Sequence, residues 1–600
     1  MGRYTVTLNG RTVTCRQIRE VARETATAAV SRAGIGRATA AARVAAEVAA
    51  SRAVYGRSTG VGANRDQTVA EADLSGHGLR LLHSHAGGGG PMIAADLSRA
   101  MLAVRVNQIA AGGSGVNPGV LAPLLDAINA GLWVPVPRYG AIGTGDLTAL
   151  AVTALCLLGD RDWRPEGARQ PRFPLASADA LAFMSSNAAT VGEAALACAD
   201  LSDLLLAAIV IAALSHQAVS ASIEPYAVPV ADAKRYPGQR AVAAILRALL
   251  GGDDHAAARI QDPYGYRALP QVHGPAIDAA EAADRATSIE LNSAAENPLV
   301  DVAGRTVWHN GNFHAAYVGL ALDAVRAALF QTAALSAARL GTLVEPSFTG
   351  LPPFLATDPS PSSGIMILEY VAHSAVADIR RLAAPAALGS AVLSRGVEEH
   401  AGFATQSARA TTDVVDAYRI VLACELVAAV RALRLRGVRP AGSGLAAAFD
   451  QACVALPAGS ADRALDADLV AAQSLLTDLA AVARPPDRRV PIPDHQVDGN
   501  RTLCTRIEPG RGCGAPDHSL ADFLAHSPRE LRDLGDIVTR PHLRDTGSRE
   551  RVVGAIRVED VRRSDHRRGA ASSAAACGYD SERGQWQHPH QRSHHPRYRA

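Results

Sequence analysis

The chain opens on strict alternation, Tyr4-Thr5-Val6-Thr7-Leu8, followed by Asn9-Gly10 and then Thr12-Val13-Thr14. Alternation puts every second side chain on one face of a strand, and Asn-Gly tolerates positive φ at both turn positions, so the segment predicts a β-hairpin. From about Arg16 to Val54 the apolar residues shift to helical spacing among Ala, Arg and Glu. Glycine-rich loops are expected at 55–62, 87–90 and 112–115. Ala/Leu/Val-rich stretches at 190–221, 275–295, 314–342, 364–391 and 407–436, separated by Pro or Gly, predict a stack of long helices. Most of these are apolar on more than one face, so each needs cover from other helices or other subunits. No repeat of solenoid period is present.

The expected fold is therefore mainly α: a central long antiparallel helical bundle, with a smaller mixed α/β N-terminal domain carrying the active-site loops. The division expected is 1–205 for the N-terminal domain and 206–485 for the bundle. Residues 486–600 differ in composition, being Arg/His/Pro-rich after Pro485-Pro486. One amphipathic helix is expected there, Leu520 to Leu534, within a disordered, solvated extension rather than a nucleic-acid-binding arm.

Composition narrows the function. Lys+Arg is 60 against Asp+Glu 58, so no global field favours nucleic acid or an anionic membrane. Aromatics are 4%, too few for a base-stacking surface. Lys234 is the only lysine and follows Ala233, which excludes a Gly-Lys-Ser/Thr phosphate loop and leaves a pyridoxal phosphate (PLP) imine one unpromising anchor. The N-terminus lacks a basic-then-apolar signal pattern, and the longest apolar run, Leu204 to Ser215, is shorter than a bilayer span. The eight cysteines form no Cys-x-x-Cys pair, which points to a reducing cytoplasm and to no disulfide framework or zinc ribbon. His83 and His85 lack a companion metal-binding face, so no metal is expected.

The chemistry concentrates at Tyr139-Gly140-Ala141-Ile142-Gly143-Thr144-Gly145-Asp146-Leu147. Three glycines in six positions demand a tight fold or a close approach. Their order reverses the dinucleotide-binding G-x-G-x-x-G, and no βαβ pattern surrounds them, so a nucleotide site is excluded. The segment instead resembles the signature of the aromatic amino acid ammonia-lyase and 2,3-aminomutase family, in which Ala-Ser-Gly-Asp-Leu cyclises into a methylidene-imidazolone. Gly143-Thr144-Gly145 lies over Ala-Ser-Gly. Other segments resemble the family in order. They are Tyr55-Gly56-Arg57-Ser58-Thr59-Gly60-Val61-Gly62, Leu82-His83-Ser84-His85-Ala86-Gly87, Arg105-Val106-Asn107 and Gly113-Ser114-Gly115. Then come Asn187, Gln261-Asp262-Pro263-Tyr264-Gly265-Tyr266-Arg267, Glu296-Asn297-Pro298, Gly311-Asn312-Phe313-His314 and Val397-Glu398-Glu399-His400. The resemblance spans roughly residues 4 to 485.

The resemblance implies a carbon–nitrogen lyase that removes ammonia from an aromatic or heteroaromatic L-amino acid to give the trans-acrylate. It implies Tyr55 as the base, Arg267 on the substrate carboxylate, and Asn187, Gln261 and Tyr264 orienting substrate and electrophile. Phe313 would pack on the ring and Glu398 would meet the substrate amine or an imidazole. His85 with Ser84 and Glu398 resembles the histidine branch, although a polar pocket also suits a tyrosine phenol. A homotetramer is implied as well, with neighbouring subunits completing each site, and no nucleotide or PLP.

Thr144 departs from the family's serine. Its dehydration would give a methyl-substituted variant of the group, hindered at the carbon to be attacked. Three outcomes follow: Thr144 cyclises to give a slower or specialised lyase or 2,3-aminomutase on the same substrates, the ring forms but serves different chemistry, or no ring forms and the chain is a catalytically silent binding scaffold.

Overall fold

The structure, a computed structural model, describes residues 3–167, 170–251, 257–359 and 361–484; the expected helix at 520–534 and the rest of the C-terminal extension lie outside these residues. The molecule is mainly helical. Its centre is the Ala188–Ala218 helix, packed against Ala316–Val344, Ala404–Arg436, Leu269–Leu291 and Ala95–Ala111. Three of the five expected helical stretches match with ends shifted by three residues or fewer, while 275–295 begins six residues earlier, at Leu269, and 364–391 ends nine residues earlier, at Leu382. The early start follows from local sequence: Pro270 sits in the first turn, where its missing N–H costs nothing.

Alanine and glycine let the backbones approach. A Cβ on Gly192 would lie 2.8 Å from Met101 N, and one on Gly274 2.5 Å from Gln239 N. The carboxylate buried deepest between the bundle helices, Glu425, is fully paired. Glu425 accepts from Arg339 Nε at 2.6 Å and Nη2 at 2.7 Å, and from Ser215 and Ser336. The division expected at residue 205 falls inside the unbroken Ala188–Ala218 helix. The stretch Ser177–Ala218 reaches a mean hydropathy of 2.1 over a membrane-length window, more than the short run at 204–215 indicated, yet that window is 89% buried inside the fold. The Ala316–Val344 helix also passes on length and composition, with 50% of its window buried.

The hairpin expected at Asn9-Gly10 does not form. Tyr4–Leu8 pairs in parallel with Ala26–Val30, Tyr4 opposite Ala26 and Leu8 opposite Val30, and the Cys15–Ala22 helix crosses between them. Asn9 Oδ1 accepts from the Arg11 and Thr12 amides at 2.9 Å, and the Gly10 amide donates to buried Asn107. These contacts turn the chain into a helix, with Thr14 and Gln17 forming its capping box. The strand Ala26–Val30 also interrupts what read as one helical region from 16 to 54. Of the glycine-rich loops, 87–90 runs into a short strand, Gly89–Met92, paired with Pro137–Tyr139.

Candidate active site

The Gly143-Thr144-Gly145 segment is where four helices begin. The Leu147–Leu158 helix follows it directly. At the start of Ala188–Ala218, the Thr190 amide and hydroxyl donate to Asp146 at 2.7 and 2.8 Å. Before Ala316–Val344, the Ala315 amide donates to Gly143 O at 3.2 Å. Before Ala404–Arg436, the Phe403 amide donates to Ile142 O at 2.9 Å. Amides at helix starts and the positive ends of the helix dipoles thus converge on one short segment, several of them bonded to it.

The backbone fits the cyclised group. Gly143 and Gly145 have φ of +83° and +101°, a region side chains resist. A Cβ on Gly143 would meet Ala404 N at 2.5 Å. The Ala315 amide donates to the Gly143 carbonyl, and Thr144 carries a β-hydroxyl between the two glycines. Burial first, against the Thr190 and Ala189 hydrogen bonds and Arg409, raises the Asp146 carboxyl to about 6.

Thr144 and Gly145 form part of the wall of a cavity of about 930 Å³. Tyr55, His85, Phe313 and Glu398 also line it. Tyr55 Oη accepts from the Gly62 amide at 2.8 Å, and its ring lies edge-on to His309. Burial chiefly raises the Tyr55 hydroxyl above its ordinary value, aided by Glu398 and opposed by the Gly62 amide and Arg65. His85 ends the Leu74–His85 helix with Nδ1 at 2.9 Å from Leu81 O, which fixes the ring.

The other expected residues are placed elsewhere. Asn187 does not line the cavity: it is buried, donating to Glu290 at 2.8 Å and accepting from Gln108 at 2.8 Å. Ser185, two residues earlier, occupies the wall instead, bonded to the Asn297 backbone at 3.2 Å. The turn between Met184 and Ala188 directs Ser185 to the cavity and Asn187 to Glu290 and Gln108. Gln261, Tyr264 and Arg267 also lie outside this wall. Tyr264 is 66% exposed, with the Arg267 guanidinium 4.4 Å from its ring centroid and Arg267 Nε buried without a partner. The groups that favour the ionised Tyr55 hydroxyl are the Gly62 amide and Arg65.

Several wall residues carried no site reading from sequence: Ser185, Asn297, His309, His314 and His400. The motifs containing Asn297, His314 and His400 were visible, and their polar members are what face inward. Asn297 is held by Arg105 through its neighbour, because the buried Arg105–Glu296 pair at 2.6 Å also anchors Ala182 and Phe183. Among the described residues no cluster of His, Cys, Asp or Glu could hold a metal ion.

Residues 13–453 match the family model for aromatic amino acid lyase. Histidine ammonia-lyase from Stigmatella aurantiaca is 34% identical over 500 residues, covering 79% of this chain and 97% of its own. The solved histidine ammonia-lyase from Trypanosoma cruzi is similar with a TM-score of 0.73 and 28% identity, covering 80% and 95% of the two chains. The tyrosine aminomutase from Streptomyces globisporus superposes with a TM-score of 0.72 and 28% identity, covering 80% and 98%.

Proposed function

The chain belongs to the aromatic amino acid lyase family, and from that premise we propose that it removes ammonia from an aromatic or heteroaromatic L-amino acid, histidine before tyrosine, to give the trans-acrylate. The observation that carries this reading is the single cavity that joins Tyr55, His85 and Glu398 to Thr144-Gly145.

A methylidene-imidazolone-type group formed from residues 143–145 would supply an electrophilic carbon for the substrate amine. Every other task falls to side chains. Tyr55 removes the β-hydrogen as its phenolate; at an ordinary pKa of ~10, ionisation at neutral pH costs about 4 kcal/mol, and burial adds to that. Glu398 receives the ammonium or the imidazole N–H, and His85 the far edge of the substrate ring. Phe313 packs against the substrate ring. Arg267, with its unpartnered Nε, is suited to fork onto the substrate carboxylate of a neighbouring subunit, with Gln261 and Tyr264 beside it. The assembly that achieves this is a homotetramer.

The test is to incubate purified protein with L-histidine, L-tyrosine and L-phenylalanine and follow acrylate, ammonia and β-amino acid together. Acrylate with equimolar ammonia, fastest from histidine, is expected. A β-amino acid product would make the protein a 2,3-aminomutase, and binding without turnover would make it a silent scaffold.

A further inference from the structure

Two histidines of the cavity wall have no role in the chemistry above. His314 Nε2 lies 3.0 Å from His400 Nδ1, with ring centroids 5.0 Å apart and planes tilted by 30°. His314 is tied to the electrophile segment: its backbone bridges Thr144, and the next amide, Ala315, donates to Gly143 O. His400 follows directly on Glu398 and Glu399, and all three face the cavity. The place is fitted to the ring, since a Cβ on Gly402 would lie 2.9 Å from His314 Cε1. The loop that brings His400 across also holds left-handed backbone at Ser394, Arg395 and Phe403, with φ of 51°, 58° and 47°.

We propose that His314 and His400 form a one-proton relay that exchanges a proton with the substrate's amino group. The inference rests on the lyase reading of this cavity. An amino acid arrives as its ammonium and must lose a proton before its nitrogen can act as a nucleophile, and ammonia must regain one to leave as ammonium. Tyr55 is occupied with the β-hydrogen, so a second exchanger is required. Only one hydrogen fits between the two ring nitrogens, so one ring donates and the other accepts. Among the described residues His400 has no other hydrogen-bond partner, which leaves its Nε2 to the cavity. On arrival one ammonium N–H bond breaks and one N–H bond forms at His400 Nε2, and the charge is shared through Nδ1 with His314. On release the same bonds re-form in reverse, with no net change in the pair. Burial first, and then His400, lowers the His314 imidazole below its ordinary value. Glu398, Glu399, Asp66, Arg65, His85, His309 and Tyr55 are the other charged or titratable groups around the same space.

The test compares wild type with His400→Asn and His314→Gln in the full chain. Asparagine keeps a donor near Nδ1 and deletes Nε2; glutamine keeps an acceptor near His314 Nε2. For His400→Asn the expected result is a kcat lower by about a hundredfold, KM within about twofold, and partial recovery with added imidazole. Peptide mass over 139–147 and sedimentation should match wild type. His314→Gln should lose less, about tenfold. In the resting protein, carbon-13-labelled histidine signals that vanish in the two variants should titrate together, taking up a single proton. A His400→Asn enzyme with unchanged kcat, a loss that imidazole does not rescue, or two independent titrations would overturn the relay while leaving the lyase reading intact. A wild type inactive on every amino acid tried would instead overturn the lyase reading.

Discussion

At the scale of single residues, under the proposed lyase reading Thr144 and Tyr55 set the rate. A methyl on the carbon to be attacked that costs about 3 kcal/mol slows turnover about a hundredfold, so Thr144→Ser should raise kcat by up to that factor. Thr144→Ala, with no β-oxygen to lose, should abolish both the cyclised group and turnover. Tyr55→Phe should cost about 10²- to 10⁴-fold in kcat. Because the phenolate is the working form and burial raises its pKa, kcat/KM should climb with pH through the neutral range rather than fall. A profile flat above pH 7 would contradict Tyr55 as the base. Tyr55, His85, Phe313 and Glu398 were legible in sequence because each sits in a short motif whose geometry is local. Where Asn187 points was not, because one turn between Met184 and Ala188 directs Ser185 to the cavity and Asn187 to Glu290 and Gln108.

At the scale of elements, the bundle depends on close approach and on a few buried polar groups. Glu425→Leu would strip Arg339 of its bidentate partner and should cost about 3–5 kcal/mol by chemical denaturation, whereas pairing it with Arg339→Met should recover much of that. Fully buried His273, with Nε2 at 2.9 Å from Leu205 O, is lowered to about 4 by burial. Its folded pKa lies below its unfolded one, so the unfolded chain binds the extra proton first as pH falls. Stability is therefore complete above about 6.5 and declines by about 3 kcal/mol toward pH 4. His273→Gln should flatten that slope, and an unchanged slope would contradict the assignment. The long helices were readable because alanine-rich, apolar stretches leave little competition. The N-terminal hairpin was misread because Asn9 and Gly10 spend their turn-forming capacity on Arg11, Thr12 and Asn107. A parallel pairing through a crossover helix depends on contacts 20 or more residues apart in sequence, beyond a local pattern's reach.

At the scale of the molecule, Gln261, Tyr264 and Arg267 belong to the family signature yet lie outside the cavity of their own chain. If a neighbouring subunit supplies them, Tyr55→Phe and Arg267→Ala each inactivate every site, but mixed tetramers rebuild some native ones. Co-refolding or co-expressing the two variants should restore activity to roughly a quarter of wild type. No recovery, in tetramers shown to contain both chains, would place Tyr55 and Arg267 in the same subunit's site. Sequence could name these residues, since motif order survives, but not where they act, since one chain's periodicity carries no symmetry operator.

All of these predictions rest on whether residues 143–145 have become an electrophile. The decisive measurement is the mass of the peptide spanning Tyr139 to Leu147, taken from purified, folded protein. The account predicts a mass lower than the encoded one by two waters, from one ring closure and one dehydration at Thr144. The encoded mass, found in folded tetramer, would contradict it and leave the chain a scaffold that binds amino acids without converting them.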